Sequence, residues 1–400
     1  MMDARRRGLV LLLTHAVLIQ IIIFGMRPAL SYAALGLGSS PAFLGFLSAF
    51  YALPALFLAL PAGRIVDVIG ERRGLVIGAV TVSAAAAIAV VGVGSLFVLM
   101  IAAVILGCGQ MFTVLGQQSY VGAISSAKRS DAAFGLYGFA AALGQTVGPL
   151  MLALPGGTPA MPPVALIFTV SLGCAVLMLL VSLLIRTPPR AAVAARAPML
   201  RAARGVLSTK GLPHALVAGS LVLASVDIFI AYAPLVGHDR GLSAVVISVM
   251  LVARSAFSMF SRLFLGVLSK AFGRRWLLVG SILLSGLMLA GFVFDVPTPV
   301  LIAFSCGYGF VVGICQPITM SWISLIAPPG TRALAMSMRL AANRLGQTVL
   351  PAALGVLAAA AGAAGVLGAS GGMLMIAAWA GTGVPDDPGE GTETEEQTTP

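Results

Sequence analysis

The hexapeptide Gly-Gln-Thr-Val-Gly-Pro at 144–149 recurs as Gly-Gln-Thr-Val-Leu-Pro at 346–351, an offset of 202 residues. A second pattern of small, acidic and basic residues at 63–73 returns at 266–275, at nearly the same offset. Two patterns that share one offset indicate that the second half of the chain duplicates the first in the same orientation. The sequence therefore predicts a fold made of two similar halves.

The composition of the chain is typical of a protein buried in a lipid bilayer. Of its 400 residues, 59% are hydrophobic and only 9% are charged, and the mean hydropathy is +1.04. Soluble domains carry about 25% charged residues. The composition therefore excludes an ordinary soluble enzyme, a disordered protein and a nucleic-acid-binding module.

Long apolar runs predict twelve transmembrane helices and hence an all-α membrane protein. A membrane span needs about 20 apolar residues. The N-terminal run is too long for a signal peptide and no small-residue cleavage site follows it, so we expect it to be retained as span 1. The other runs lie at 43–63, 74–94, 96–124, 132–154, 163–185, 213–236, 243–268, 276–294, 299–326, 333–359 and 362–380.

The basic residues predict the orientation of these helices. Most of the 24 Lys and Arg residues fall at the N-terminus or in every second connection, and only Arg240 falls in a connection of the other set. Cytoplasmic loops of membrane proteins carry this excess. We therefore expect both termini on the cytoplasmic side of the cytoplasmic (inner) membrane, and the net charge of +11 needs no nucleic-acid partner.

The predicted organisation is two six-helix bundles, at 1–186 and 213–381. A basic cytoplasmic linker at 187–212 joins them, and an acidic tail at 382–400 is expected to be disordered. The chain has no Gly-Lys-Ser/Thr phosphate-binding motif and no Cys/His cluster, so we expect no ATPase, no metal and no cofactor.

The connection between spans 2 and 3 and the sequence of span 5 resemble two motifs of the major facilitator superfamily. The connection reads Gly63-Arg-Ile-Val-Asp67-Val-Ile-Gly70-Glu-Arg72-Arg73, which departs from the family pattern only at Val68. Span 5 resembles the start of the antiporter motif of the proton-coupled drug exporters. The matching residues are Gly135, Gly144, Gly148 and Pro149, but Leu152 and Ala153 stand where a glycine pair is usual.

The resemblance implies a twelve-helix transporter that works by alternating access. It implies that the 63–73 loop stabilises one state of the gate, together with its repeat, which comprises Gly266, Lys270, Gly273, Arg274 and Arg275. It also implies that spans 1, 4, 7 and 10 line the central cavity, where Gln20, Gln117 and Gln316 lie. Span 4 lacks the arginine that drug exporters often carry, so proton coupling requires another group.

Ionisable residues inside spans are costly and are functional candidates. Asp227 is the only acid well inside a span, and Arg254 is at a similar depth on the next span, so the two either form an ion pair or respond together to the solute. Arg27 lies near the expected end of span 1, where an interfacial position is the alternative to a functional one. His15 either titrates or joins two helices by hydrogen bonds.

Span 11 is unusually polar for a membrane helix. Arg339, Asn343 and Gln347 are four residues apart and form one stripe, and Arg344 lies beside it. Two arginines with amides predict a surface that receives an anion. The alternative for Arg339 is that its side chain extends to the cytoplasmic interface.

These features predict a secondary active transporter and not an enzyme. The first hypothesis is proton-coupled efflux of a small organic solute, and the second is uptake of an organic anion such as a carboxylate. The expected partners are the solute, protons and the lipid bilayer, and we expect a monomer. The solute itself is not identified by the sequence.

Overall fold

The computed structural model describes residues 2–124, 130–186, 212–326 and 332–381, and these residues form long helices and short connections. The predicted linker lies outside the described residues except for Leu212, and so does the acidic tail. The first half contains α1 Met2–Gly36, α2 Pro41–Ile69, α3 Glu71–Val91, α4 Leu96–Ile124, α5 Ser130–Val147 and α6 Val164–Leu184. The second half contains α7 Leu212–Asp239, α8 Ala244–Phe272, α9 Arg274–Ala290, α10 Thr298–Ile326 and α11 Arg332–Gly381.

The last helical element, α11, supplies two spans. Its 50 residues are bent at Gly362, whose φ of 63° and ψ of −170° lie outside the helical region. A backbone N–H of the second arm, at Ala363, faces the Asp239 carboxylate at 3.5 Å, so Asp239 caps this arm. The arms 332–361 and 363–381 correspond to predicted spans 11 and 12, which confirms the twelve-helix layout.

Eleven stretches of the described residues are long and apolar enough to cross a membrane. The arm 332–361 is not among them, and it carries the polar stripe predicted for span 11. The last span, although rich in Gly and Ala, does qualify as Ala360–Trp379.

The two halves share a turn that depends on glycine. Gly70 separates α2 from α3 with a φ of 94°, and Gly273 separates α8 from α9 with a φ of 71°. Residues with a Cβ rarely adopt positive φ. The repeat seen in the sequence therefore reappears as one backbone conformation at two equivalent places. We call the end of the molecule that contains these two turns the basic end.

The halves pack tightly at the opposite end. A Cβ on Gly45 of α2 would lie 2.6 Å from the Cα of Gly355 in α11, so the two helices touch through their backbones. The Ser248 hydroxyl donates to the Pro149 carbonyl at 2.7 Å, and the Tyr232 hydroxyl donates to the Pro41 carbonyl at 3.2 Å. These contacts close the bundle at the opposite end.

The described hydrogen bonds between the halves all lie at mid-depth or toward the opposite end. At the basic end, a Cβ on Gly63 or on Gly266 would have no atom within 4 Å. The final turns of α8 are exposed, with Leu263 at 75% and Val267 at 68% of their surface. The described residues therefore close the opposite end, and no described hydrogen bond joins the halves at the basic end.

Candidate functional site

The centre of the molecule contains an ion pair between the two halves. Arg27 of α1 donates from Nη1 to Oδ1 of Asp227 in α7 at 2.5 Å. Gln347 of α11 donates from Nε2 to the other carboxylate oxygen at 2.7 Å. Asp227 is 5% exposed and Arg27 is 8% exposed, so the pair is largely removed from solvent. A buried pair is held only when its geometry and extra hydrogen bonds offset the loss of water, and both are present here.

The pair decides between the alternatives that the sequence left open for these residues. Arg27 is not interfacial, because α1 continues through Pro28 to Gly36 and leaves Arg27 about 14 Å from the helix end at 1.5 Å per residue. Asp227 is paired with Arg27 and not with Arg254. Counting residues from the connecting loop gave the depth of Arg254 correctly, but it could not give the direction in which the side chain leaves α8.

Residues of α2 complete the surroundings of Arg27. Its Nη2 donates to the Ser48 hydroxyl at 3.3 Å, and its guanidinium lies 4.4 Å from the centre of the Tyr51 ring. A cavity of about 20 Å³ adjoins these groups and Ser31, a volume that suits about one water molecule. Sequence reasoning missed Ser48 and Tyr51. The sequence feature that could have identified them is a pair of polar side chains, three residues apart, on one face of an apolar helix.

Gln347 connects Asp227 to a second arginine. Arg344 donates from Nη1 to Oε1 of Gln347 at 3.1 Å, while the amide nitrogen of Gln347 faces the carboxylate. Both ends of the Gln347 amide are therefore fixed by charged partners. A change in the charge of Asp227 would be transmitted through this amide to Arg344.

Arg254 is a buried arginine without an acidic partner among the described residues. It is 3% exposed, its Nη2 donates to Ser255 at 2.6 Å, and its Nε has no hydrogen-bond partner. Its guanidinium lies 5.6 Å from the centre of the Phe24 ring, across the boundary between α8 and α1. Arg254 thus places a buried guanidinium, without an ion-pair partner among the described residues, where the two halves meet.

Arg339 is also buried, which overturns the alternative that it extends to the interface. It is 5% exposed, and its Nη1 lies 3.5 Å from Oε1 of Gln316 in α10. The Nε of Arg339, the Nε2 of Gln316 and the Oδ1 of Asn343 have no partner. The stripe predicted on span 11 is therefore divided. Its Gln347 end faces Asp227, and its Arg339 end faces α10.

A separate polar chain lies inside the first half. Tyr137 donates to Oε1 of Gln117 at 3.1 Å, and the Gln117 amide nitrogen is 2.8 Å from Nδ1 of His15. His15 Nε2 is 2.9 Å from the Ser182 hydroxyl, which donates to the Met178 carbonyl. These roles are mutually consistent for a neutral His15 protonated at Nε2. The chain joins α5, α4, α1 and α6, so His15 and Gln117 contact each other and do not face Asp227.

The glycines predicted in span 5 divide into two groups. A Cβ on Gly148 would lie 2.8 Å from the Ile21 carbonyl of α1, and Gly144 is equally tight against Val17. Gly135 has nothing within 4 Å. Pro149 lies in a 3-10 segment, Gly148–Ala153, that ends the regular helix, as expected of a proline bend. Gln20 is buried beside Gly144, and its Oε1 has no partner.

The loop motif contacts a neighbouring helix at the basic end. Arg72 donates from Nη2 to the Leu183 carbonyl at 2.8 Å, in the last turn of α6. A cation suits this position because the last carbonyls of a helix are unpaired and carry partial negative charge. Arg72 and Arg73 line a groove of about 790 Å³. The side chains of Asp67 and Arg274 lie outside the described residues, so the proposed roles of these two residues stay predictions.

The fold and the paired halves define a class of membrane transporter. The sequence profile of the Major Facilitator Superfamily matches residues 12–235 and 215–399. The chain therefore belongs to the Major Facilitator Superfamily, whose members are transporters and not enzymes.

Solved structures share this fold across nearly the whole chain. A mutant form of the nucleoside transporter NupG is 15% identical, with a TM-score of 0.79 over 94% of this chain and 99% of that one. The peptide transporter POT in complex with sulfate is 16% identical, with a TM-score of 0.73 over 94% of each chain. A D-xylose-proton symporter is 16% identical, with a TM-score of 0.72 over 95% and 99% of the two chains. At these identities the likeness concerns the fold alone.

No curated protein matches the chain in a comparison of sequences.

Proposed function

We propose that this protein is a proton-coupled secondary transporter of a small organic anion. The observation that carries the proposal is the imbalance of buried charge. The buried charged side chains among the described residues include the arginines Arg27, Arg254 and Arg339. Against them are two acids, Asp227 at mid-depth and Glu71 at the basic end, where it accepts from Ser119 at 3.3 Å.

An unpaired buried cation is expensive to maintain. A charged side chain at the centre of a membrane helix costs about 2.5–3.5 kcal/mol on insertion scales. Asp227 forms an ion pair with Arg27 and attracts Arg254 only from a longer distance, and no acid among the described residues forms an ion pair with Arg254 or Arg339. The cost is offset when a negatively charged ligand binds, and arginine is well suited to carboxylate and phosphate groups. An anionic cargo is therefore the ligand class that this core favours.

Asp227 is the proposed residue that couples transport to protons, and its pairing with Arg27 controls when it binds a proton. When the opposite end opens, the halves separate and Arg27 moves away from Asp227. The carboxylate then takes up a proton, because an unpaired charge at that depth is unfavourable. The freed arginine accepts the anion. When the opposite end closes again, the ion pair re-forms and displaces both the proton and the anion at the basic end.

This sequence of events moves the proton and the anion in the same direction. We propose that the basic end is cytoplasmic, as the excess of basic residues in its loops predicts, so the direction under an inward proton gradient is uptake. Efflux is the second candidate, and the span-5 motif supports it. The tight packing of Gly144 and Gly148 against α1 suits the role of that motif in restraining leak.

The test begins with the cargo. Purified protein is screened by thermal shift against carboxylates, sulfonates, phosphates and their neutral analogues. A radiolabelled form of the best ligand is then followed in right-side-out and inside-out vesicles with imposed pH gradients. Accumulation in right-side-out vesicles driven by an acidic exterior supports uptake, whereas proton-driven accumulation in inside-out vesicles supports efflux. A preference for neutral compounds contradicts an anionic cargo.

The coupling role is tested with Asp227→Asn. This variant should lose pH-driven accumulation and keep exchange of solute down its gradient, since the asparagine cannot carry a proton on and off. Arg7→Gln, which changes an exposed arginine of α1, is the matched control and should behave as the wild type. Full pH-driven accumulation by Asp227→Asn would show that Asp227 is only a structural partner.

A further inference from the structure

The residues Arg339, Asn343 and Gln316, which we call the α10–α11 cluster, lie at a different depth from Asp227. Arg339 precedes Gln347 by eight residues on α11, and Gly219, which faces Asn343, precedes Asp227 by eight residues on α7. At 1.5 Å per residue the cluster is about 12 Å nearer to the basic end. The three helices that surround it, α7, α10 and α11, all belong to the second half.

Three polar atoms of the cluster lack a hydrogen-bond partner among the described residues. Arg339 and Asn343 are each 5% exposed, and the atoms without a described partner are the Nε of Arg339, the Nε2 of Gln316 and the Oδ1 of Asn343. The one hydrogen bond described for Arg339 joins Nη1 to Gln316 at 3.5 Å, which is long. A buried polar group without a partner normally marks a missing ligand, water or ion.

The chemistry of the free atoms matches an anion. Two of them are N–H donors, and one of those donors carries a full positive charge. No described hydrogen bond fixes which end of the Asn343 amide faces the cluster, so a half-turn of this amide presents its NH₂ as a third donor. A carboxylate, sulfonate or phosphate group has the acceptor oxygens that three such donors require.

We propose that the α10–α11 cluster is a second anion-binding subsite, which holds the acidic group of the cargo on its route between the basic end and Arg254. The proposal rests on the function proposed above and specifies where that cargo binds. Among the described side chains of the second half, Arg339 is the buried positive charge nearest to the basic end.

The test uses the full-length purified protein with benzoate, citrate, sulfate and inorganic phosphate as probes, each titrated against chloride at constant ionic strength. The melting temperature reports binding, because a ligand that binds only the folded state raises it. The variants are Arg339→Gln, Asn343→Ala and Arg254→Gln, with Arg7→Gln, at an exposed arginine of α1, as control. In the wild type and the control, at least one probe should raise the melting temperature saturably.

Arg339→Gln should weaken binding of that probe about tenfold or more, and Asn343→Ala should weaken it less. The melting temperature of Arg339→Gln without ligand should not fall, because the variant removes an uncompensated buried charge. Wild-type affinity in Arg339→Gln, together with a lowered melting temperature, would mean a structural role and would overturn the subsite.

The same data separate the two proposals. If Arg254→Gln loses binding while Arg339→Gln retains it, the second subsite is wrong and the anionic cargo stands. If no probe stabilises the wild type more than chloride does, both the subsite and the anionic cargo are wrong.

Discussion

The ion pair between Arg27 and Asp227 should hold the opposite end closed, and a double-mutant cycle can measure how strongly. Removing one partner of a buried ion pair costs about 3–5 kcal/mol, because the other charge stays buried alone. We take the lower end for Asp227→Asn, since Ser48 and the Tyr51 ring still contact Arg27. Opening of the opposite end hydrates the unpaired arginine and relieves this cost. A change of about 3 kcal/mol moves the closed-to-open equilibrium about a hundredfold.

The readout is the reactivity of a cysteine placed at Ser248, which is buried where the halves meet. The four native cysteines, all of them free thiols, are first replaced by alanine. A membrane-impermeant thiol reagent applied from the opposite side should label Ser248→Cys slowly in the otherwise unchanged protein. Labelling should be about a hundredfold faster with Arg27→Gln or Asp227→Asn, provided the closed state is strongly favoured at the start.

The double variant, Arg27→Gln with Asp227→Asn, tests whether the two residues are energetically coupled. It leaves two neutral amides and no unpaired charge, so labelling should be slower than in either single variant. Arg7→Gln should have no effect. If the double variant labels as fast as the two single effects combined, the residues are not coupled and the ion pair does not control the gate.

Two further predictions concern packing and the polar chain of the first half. Gly45→Ala should speed labelling of Ser248→Cys, because the added Cβ meets the backbone of α11. Such overpacking costs about 1–3 kcal/mol. The control is Gly173→Ala, whose Cβ meets no atom within 4 Å. His15→Gln should lower the melting temperature by breaking the bonds to Gln117 and Ser182, at about 1–3 kcal/mol, and should leave the pH dependence of transport unchanged. A shifted pH profile in His15→Gln would instead make His15 part of the coupling.

The sequence predicted the fold more completely than the site. The repeat, the apolar runs and the basic connections are properties of whole segments, so the twelve-helix layout survives errors of several residues at each boundary. The first helix shows such an error, since it runs nine residues past Arg27, which the sequence placed near its end. That error left the layout intact, but it changed the interpretation of Arg27 from an interfacial residue to the partner of Asp227.

Sequence patterns could not predict contacts between helices that are far apart in the chain. Asp227 and Arg254 lie on consecutive predicted spans. Arg27 and Asp227, by contrast, are 200 residues apart in the sequence and belong to different halves. Their pairing depends on how the two bundles face each other, and no local pattern encodes that rotation. The stripe on span 11 was visible from its spacing of four residues, because one helix fixes the relative directions of its own side chains.

The glycines of the repeat indicate how two ends of one molecule can close alternately. Gly45, Gly144 and Gly148 lie against neighbouring backbones in the described state, where the opposite end is closed. Gly63 and Gly266 belong to the loop motif and its copy, and a Cβ on either would meet nothing. Where no neighbouring atom is close, the missing side chain of glycine gives no packing advantage, unless another conformational state brings a helix against it. We therefore expect the last turns of α2 and α8 to pack through these glycines when the basic end closes and the Arg27–Asp227 pair is broken. Gly63→Val should then slow transport while leaving the melting temperature of the present state unchanged, and normal transport by Gly63→Val would limit the loop to its role in topology.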